Sequence, residues 1–199
     1  MEKSGPVAYF GAQFDRQIAA GEYELNPFER MALPYMMGDV LDLGCGLGNL
    51  ALEAARHGAR VTALDACGNA VDDLAARALS LDLPVWVRQA NLEGWRPEDQ
   101  WNAVACIGLL MFFDRRTALA GLEAVRDAVK PGGVAVVNAL VEGTTFLGMF
   151  DPKGYHLFTR EELLDPFAEW TLLENREDNF DAPGDTVKCF RTVIAKRPD

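Results

Sequence analysis

Apolar positions in this chain switch repeatedly between two periods. Val40 to Leu43, Val61 to Leu64, Val85 to Val87, Ala103 to Ile107 and Val134 to Val141 are short, nearly continuous apolar runs, as expected of strands buried on both faces. Helical spacing separates them. Residues 8–20 place Tyr9, Phe10, Phe14 and Ile18 on one broad face, with Gly21 as the stop. Asn26-Pro27-Phe28-Glu29 reads as an N-cap, a first-turn proline and a capping glutamate, and Pro34 limits the helix it starts. Helices follow over Asn49 to His57, closed by Gly58, and over Asn69 to Leu81, with Val71, Leu74, Ala75 and Ala78 on one face. Asp114 caps a further helix through Val129, and Pro131-Gly132-Gly133 then turns the chain. Thr159 and Glu162 form a capping box for a short helix. The chain closes with strand-like segments, Trp170 to Glu177 and Val187 to Ala195. The loop from Asn179 to Asp185 is too short for a crossover helix, so they are expected to pair as an antiparallel hairpin.

Strand and helix alternate five times, which requires a parallel sheet covered on both faces. The expected fold is α/β: a Rossmann-like three-layer sandwich with a mostly parallel seven-stranded sheet and a C-terminal antiparallel hairpin. A length of 199 residues suits one compact domain. Residues 39–199 form its body and residues 1–38 a helical cap or lid. A net charge of −11 disfavours nucleic acid and anionic membrane surfaces as partners. Cys45, Cys67, Cys106 and Cys189 form no CxxC pair and read as reduced thiols, with no metal site. The N-terminus shows no basic stretch followed by an apolar run, so no signal peptide is expected. The longest apolar run, Ala103 to Phe113, is broken by Gly108 and too short to span a bilayer. The expected setting is cytoplasmic, with a small-molecule partner and a monomer or homodimer.

The most informative segment is Val40-Leu41-Asp42-Leu43-Gly44-Cys45-Gly46-Leu47-Gly48-Asn49. A buried strand ends in an acid, glycines follow at alternate positions, and a helix begins. Such a turn brings bare backbone and helical N–H groups to a ligand. The second strand also ends in an acid, Asp65, 21 residues beyond Gly44. That is the distance at which a carboxylate reaches ribose hydroxyls. A dinucleotide fingerprint requires a small residue at position 49, where this chain has Asn.

The pattern D-x-G-x-G-x-G, with Asp65 after the second strand, resembles the first motif of class I S-adenosylmethionine-dependent methyltransferases. The resemblance implies a set of roles. Gly44, Cys45 and Gly46 would pass beside the methionine part of the cofactor, and Asp42 would support the loop and the amino group. Asp65, followed by Ala66, would hold the ribose. Asn91 and Leu92 would flank the adenine, with Asn91 where the family usually has an acid. Ile107 and Gly108 would offer backbone near the amino group. Ile107 to Phe113, with its Leu-Met-Phe run, further resembles the tellurite-resistance methyltransferases. So do the Lys130 to Gly133 turn and the set Phe158, Glu162 and Leu163.

Methyl transfer from a sulfonium is an in-line displacement, which needs positioning and a dry pocket. A thiolate, selenide or telluride acceptor needs no general base, whereas oxygen and nitrogen acceptors usually do. No segment announces such a base, and no catalytic residue is assigned. His57 suits a helix C-terminus. Candidate substrate contacts are Tyr9 and Phe14 on the N-terminal helix, Met111 and Phe112 after the fourth strand, Glu142 and Thr144 after the fifth, and His156 in the following loop. The expected activity is methylation of a small molecule, with tellurite, selenite or thiol acceptors in view. The alternatives are a nicotinamide-dependent oxidoreductase and a non-catalytic S-adenosylmethionine-binding module. Size, acidity and the lack of a recognition domain count against protein or RNA methylation.

Overall fold

A computed structural model describes residues 5–152 and 154–199. The expectation about a signal peptide falls partly on residues 1–4 and lies outside them.

The first helix, α1 (Pro6–Ala20), ends at Gly21, whose left-handed φ of 67° carries the C-cap. In α2 (Pro27–Ala32) Asn26 accepts from the Phe28 and Glu29 amides, and Glu29 returns the bond to the Asn26 amide at 2.8 Å. Pro34 does not stop the chain at once, because a 3-10 turn, Leu33–Tyr35, extends the helix. Then follow β1 (Asp39–Leu43), α3 (Asn49–Arg56), β2 (Arg60–Asp65), α4 (Gly68–Ser80), β3 (Val85–Gln89) and β4 (Trp101–Ile107). The chain continues through α5 (Arg115–Asp127), β5 (Val129–Leu140), α6 (Arg160–Leu164), β6 (Thr171–Ala182) and β7 (Thr186–Lys196).

The seven strands form one sheet in the order β3-β2-β1-β4-β5-β7-β6. Its first five strands are parallel, and β7 runs antiparallel to both β5 and β6. This is the Rossmann-like sandwich expected from the alternation. The chain starts at β1, winds outward to β3, then returns to the other side of β1. The sheet therefore has its topological switch between β1 and β4.

Three boundaries differ from the sequence pattern. The helix capped by Asp114 stops at Asp127, and Val129 already belongs to β5. The Pro131-Gly132-Gly133 segment is not a free turn but an irregularity inside β5, where the register shifts against β4. Gly133 packs onto the Asn102 carbonyl there, and a Cβ would approach it to 2.7 Å. The closing loop is also shorter than expected, since β6 and β7 stay paired out to Ala182 and Thr186. Backbone hydrogen bonding across a two-stranded ribbon overrides the polar composition of residues 179–182.

Alternation along the central strands divides the core between the two faces. Leu41, Leu43, Val104, Cys106 and Val137 pack with α5 and Phe158. Val40, Ala103, Ala105, Val136 and Ile194 pack beneath α2 and α3, against Ala32, Leu50 and Ala54. By the same period Asp42, Asn138 and Thr192 share the α2 side of the sheet.

Candidate functional site

A cavity of about 930 Å³ opens beyond the carboxyl ends of β1, β2, β4 and β5, at the switch. Ligands of open α/β sheets bind in that position. The volume lies near the top of the roughly 300–1,000 Å³ range of small-molecule sites.

Its floor is the glycine turn after β1. The Gly44 and Cys45 amides both donate to the Leu64 carbonyl, at 2.8 and 3.1 Å, which ties the turn to β2. Gly46 and Gly48 adopt φ of 53° and 67°, a region that side chains rarely enter. Space also requires them: a Cβ on Gly46 would lie 3.1 Å from the Phe14 ring, and one on Gly48 2.3 Å from Leu74. The turn then opens α3 with no side-chain cap.

Asp65 braces this turn from the end of β2. One carboxylate oxygen accepts from the Gly46 amide and the other from the Cys67 amide, both at 2.8 Å. Each oxygen keeps a second acceptor position. Asp42 is different. It is buried on β1, it lines the cavity, and its Oδ2 has no hydrogen-bond partner among the described residues. Burial first, then the neighbouring charges of Glu29 and Asp65, push its carboxyl up to about 8. Burial likewise raises Glu29 above the ordinary carboxylate range.

Of the sequence-derived cofactor set, Asp42, Gly44, Cys45, Gly46, Asp65, Ala66, Asn91, Leu92 and Ile107 all line this one cavity. Asn91 is exposed, and its Oδ1 accepts from the Glu93 amide at 3.0 Å. Of the substrate set, Tyr9, Phe14, Met111 and Phe112 line it, whereas Glu142, Thr144 and His156 do not. The Thr144 hydroxyl meets the Cys189 backbone, accepting from its amide at 3.0 Å. Glu142 is exposed. His156 pairs with Glu162 at 2.7 Å, and its amide donates to the Met111 carbonyl. The Cys45, Cys67 and Cys106 thiols are buried, and that burial raises all three, Cys67 to about 12.

Several lining residues escaped the sequence reading. Phe28 and Glu29 come from α2, Lys188 and Phe190 from β7, and Asn138 from β5. Asn138 did leave a trace, as the one polar residue inside the apolar run of β5. Arg77 on α4 also supports the turn: its guanidinium bonds the Leu47 carbonyl and pairs with Asp73 at 2.7 Å. The Tyr23 ring lies 4.1 Å beneath it.

A Rossmann-like sheet with an acid-flanked glycine turn at its switch defines a class of nucleoside-binding α/β proteins. Comparison with known proteins makes the class particular. Residues 40–133 match the family model described as a methyltransferase domain. A ubiquinone biosynthesis O-methyltransferase of Alkalilimnicola ehrlichii is 29% identical over 166 residues, which are 73% of this chain and 66% of that protein. The chain thus spans just under two thirds of that relative's length. TehB from Haemophilus influenzae superposes with a TM-score of 0.74 at 19% identity, covering 87% of this chain and 62% of TehB. The N-methyltransferase NodS from Bradyrhizobium japonicum, solved with S-adenosyl-L-homocysteine, gives 0.69 at 15% identity, covering 96% and 100%. Residues 40–133 are thus similar to a methyltransferase domain, and the fold is that of solved methyltransferases such as NodS.

Proposed function

We propose that the protein transfers the methyl group of S-adenosylmethionine to a small molecule. The observation that carries this reading is the buried Asp42 carboxyl beneath the glycine turn, whose Oδ2 has no partner among the described residues. An orphaned buried acceptor costs about 1–3 kcal/mol, and a cationic ligand group beside it would remove that cost. The neighbouring residues suit the rest of the cofactor. Asp65 retains acceptor positions for a vicinal diol, and the turn offers bare backbone. Leu92 supplies a buried apolar wall beside Asn91 for a flat base. Phe10 and Phe112 stand edge to face, 5.0 Å apart, on the cavity wall. Aromatic faces stabilise a cation by roughly 0.5–2 kcal/mol.

Bound S-adenosylmethionine supplies an electrophilic methyl group on a sulfonium. The protein then has to align the acceptor and keep water out. Within residues 5–38, α1 and α2 serve as the cap in this reading, with Phe14 of α1 against Gly46. A soft acceptor of the thiol, selenium or tellurium type fits a site that requires no imidazole base. No histidine lines the cavity among the described residues, and His156 is tied to Glu162. An oxygen acceptor is the second reading, favoured by the curated relative's name, and it would require a carboxylate such as Asp114 as base.

Calorimetric titration with S-adenosylmethionine is the deciding experiment. Micromolar binding by the native protein, weakened more than tenfold in Asp65→Ala, is the expected result. Unchanged binding in that variant would remove the ribose assignment, and absence of binding would end the proposal. Release of S-adenosylhomocysteine with thiol but not phenol acceptors would support the soft-nucleophile reading.

A further inference from the structure

The half of the cavity beneath α2 contains polar groups that the cofactor reading leaves unused. Lys188, Phe190 and Thr192 alternate on the α2-side face of β7, and Asn138 stands opposite Thr192 in the β5–β7 register. Asn138 is 1% exposed and lines the cavity. Its Nδ2 donates to the Thr192 hydroxyl at 2.9 Å, which fixes the amide plane, while its Oδ1 has no partner. The Gly108 amide donates to the Asn138 backbone carbonyl at 2.9 Å, which sets this residue beside Ile107 and Gly108. Phe28 and Phe190 close the chamber with ring centroids 4.8 Å apart.

The charges lining the cavity are uneven. Glu29 lines it from α2, and Asp114 from the start of α5. Asp114 is held below the ordinary carboxylate range by hydrogen bonds from the Thr117 amide and hydroxyl, so it stays ionised. Among the described lining residues Lys188 is the one cation, and its ammonium sits over the Phe146 ring at 4.6 Å.

Resting on the proposal that this is a methyltransferase site, we infer that Asn138 binds the methyl acceptor through Oδ1. We infer also that the chamber selects an uncharged or cationic molecule carrying an N–H, O–H or S–H donor, and rejects anions. The reason is complementarity. The Asn138 Oδ1 is an acceptor that a donor would satisfy, and the carboxylates of Glu29 and Asp114 on the lining disfavour an anion. The paired phenylalanines add an apolar, ring-sized wall. Among soft acceptors this selects thiols and selenols over the tellurite and selenite oxyanions.

The test is a matched series of benzyl alcohol, benzylamine and benzoate, titrated by calorimetry with and without S-adenosylhomocysteine. Benzyl alcohol and benzylamine are expected to bind at least tenfold more tightly than benzoate. Asn138→Ala is expected to weaken both at least tenfold while circular dichroism stays native. Glu29→Gln keeps the capping box and the packing, and is expected to narrow the gap to benzoate several-fold. Benzoate binding as well as its partners, no measurable binding by any of the three, or unchanged alcohol and amine affinity in a folded Asn138→Ala would each overturn the inference. Because the series also reads the chamber without cofactor, its outcome is separate from S-adenosylmethionine titration, whose failure would instead end the parent proposal.

Discussion

At the scale of single residues, Asp42 couples stability to pH. Its carboxyl stands at about 8 in the folded protein against 3.8 as a free group. The folded state therefore holds a proton that the unfolded chain releases between those values. Stability is greatest below the lower value, falls as pH rises between the two, and levels off above the higher. At pH 7 the loss from this group is about 4 kcal/mol at most. Asp42→Asn is thus expected to be more stable than the native protein at pH 7, with the pH dependence between 5 and 8 reduced. Urea denaturation at several pH values measures both. The same variant is expected to bind S-adenosylmethionine at least tenfold more weakly, because an amide cannot neutralise an ammonium group. Native affinity is expected to rise between pH 6 and 8 as Asp42 ionises. A variant with native affinity and an unchanged stability profile would show that Asp42 neither carries the proton nor meets the cofactor. The acid itself was legible in the sequence, as the residue before the glycines. Its burial and lack of a partner were not, since both depend on neighbours distant in the chain.

At the scale of elements, the glycine turn is held from outside its own segment. Arg77 reaches the Leu47 carbonyl from α4, and Asp73 and Tyr23 hold Arg77 in place. Arg77→Ala is expected to weaken S-adenosylmethionine binding several-fold and to cost about 1–3 kcal/mol, through one freed buried carbonyl and one unpaired carboxylate. Calorimetry and denaturation separate the two effects. The first helix has a different status. It contributes no buried residue of its own, and it meets the body through Phe10, Phe14 and Ile18 against Leu47, Cys67 and Ala70. The Asn69 amide adds a bond to the Gly11 carbonyl at 2.9 Å. If this helix acts as a lid, it is expected to gain amide-exchange protection over residues 6–20 when S-adenosylhomocysteine binds, with little change in β1 or β4. Equal protection with and without ligand would mark α1 as a fixed wall. Its stop at Gly21 was readable because glycine capping is local chemistry. The continuation of β5 through Pro131 to Gly133 was not, because the pairing partner lies on β4, far away in sequence.

At the scale of the molecule, the sheet order brings β7 beside β5 and so completes the cavity. Phe158 helps hold this arrangement. It is fully buried, its amide donates to the Leu140 carbonyl, and its carbonyl accepts from the Glu142 amide. Phe158→Ala is expected to cost about 3–5 kcal/mol, read as a lowered denaturation midpoint. The cost is one of packing, so S-adenosylmethionine affinity in the folded fraction is expected to stay within a few-fold of native.

By itself the sequence determined the alternation of strands and helices, the acid-glycine turn, and the second acid one strand later. These depend on period, local sterics and capping, which a few neighbouring residues settle. Tertiary structure alone decided which polar groups face the cavity without partners. The direction of Asn138 depends on Thr192, and the raised carboxyl of Asp42 in part on Glu29, in each case across strands or helices distant in the chain. Period places a residue on a face, but only the assembled neighbours decide whether its hydrogen bonds are already made or left for a ligand.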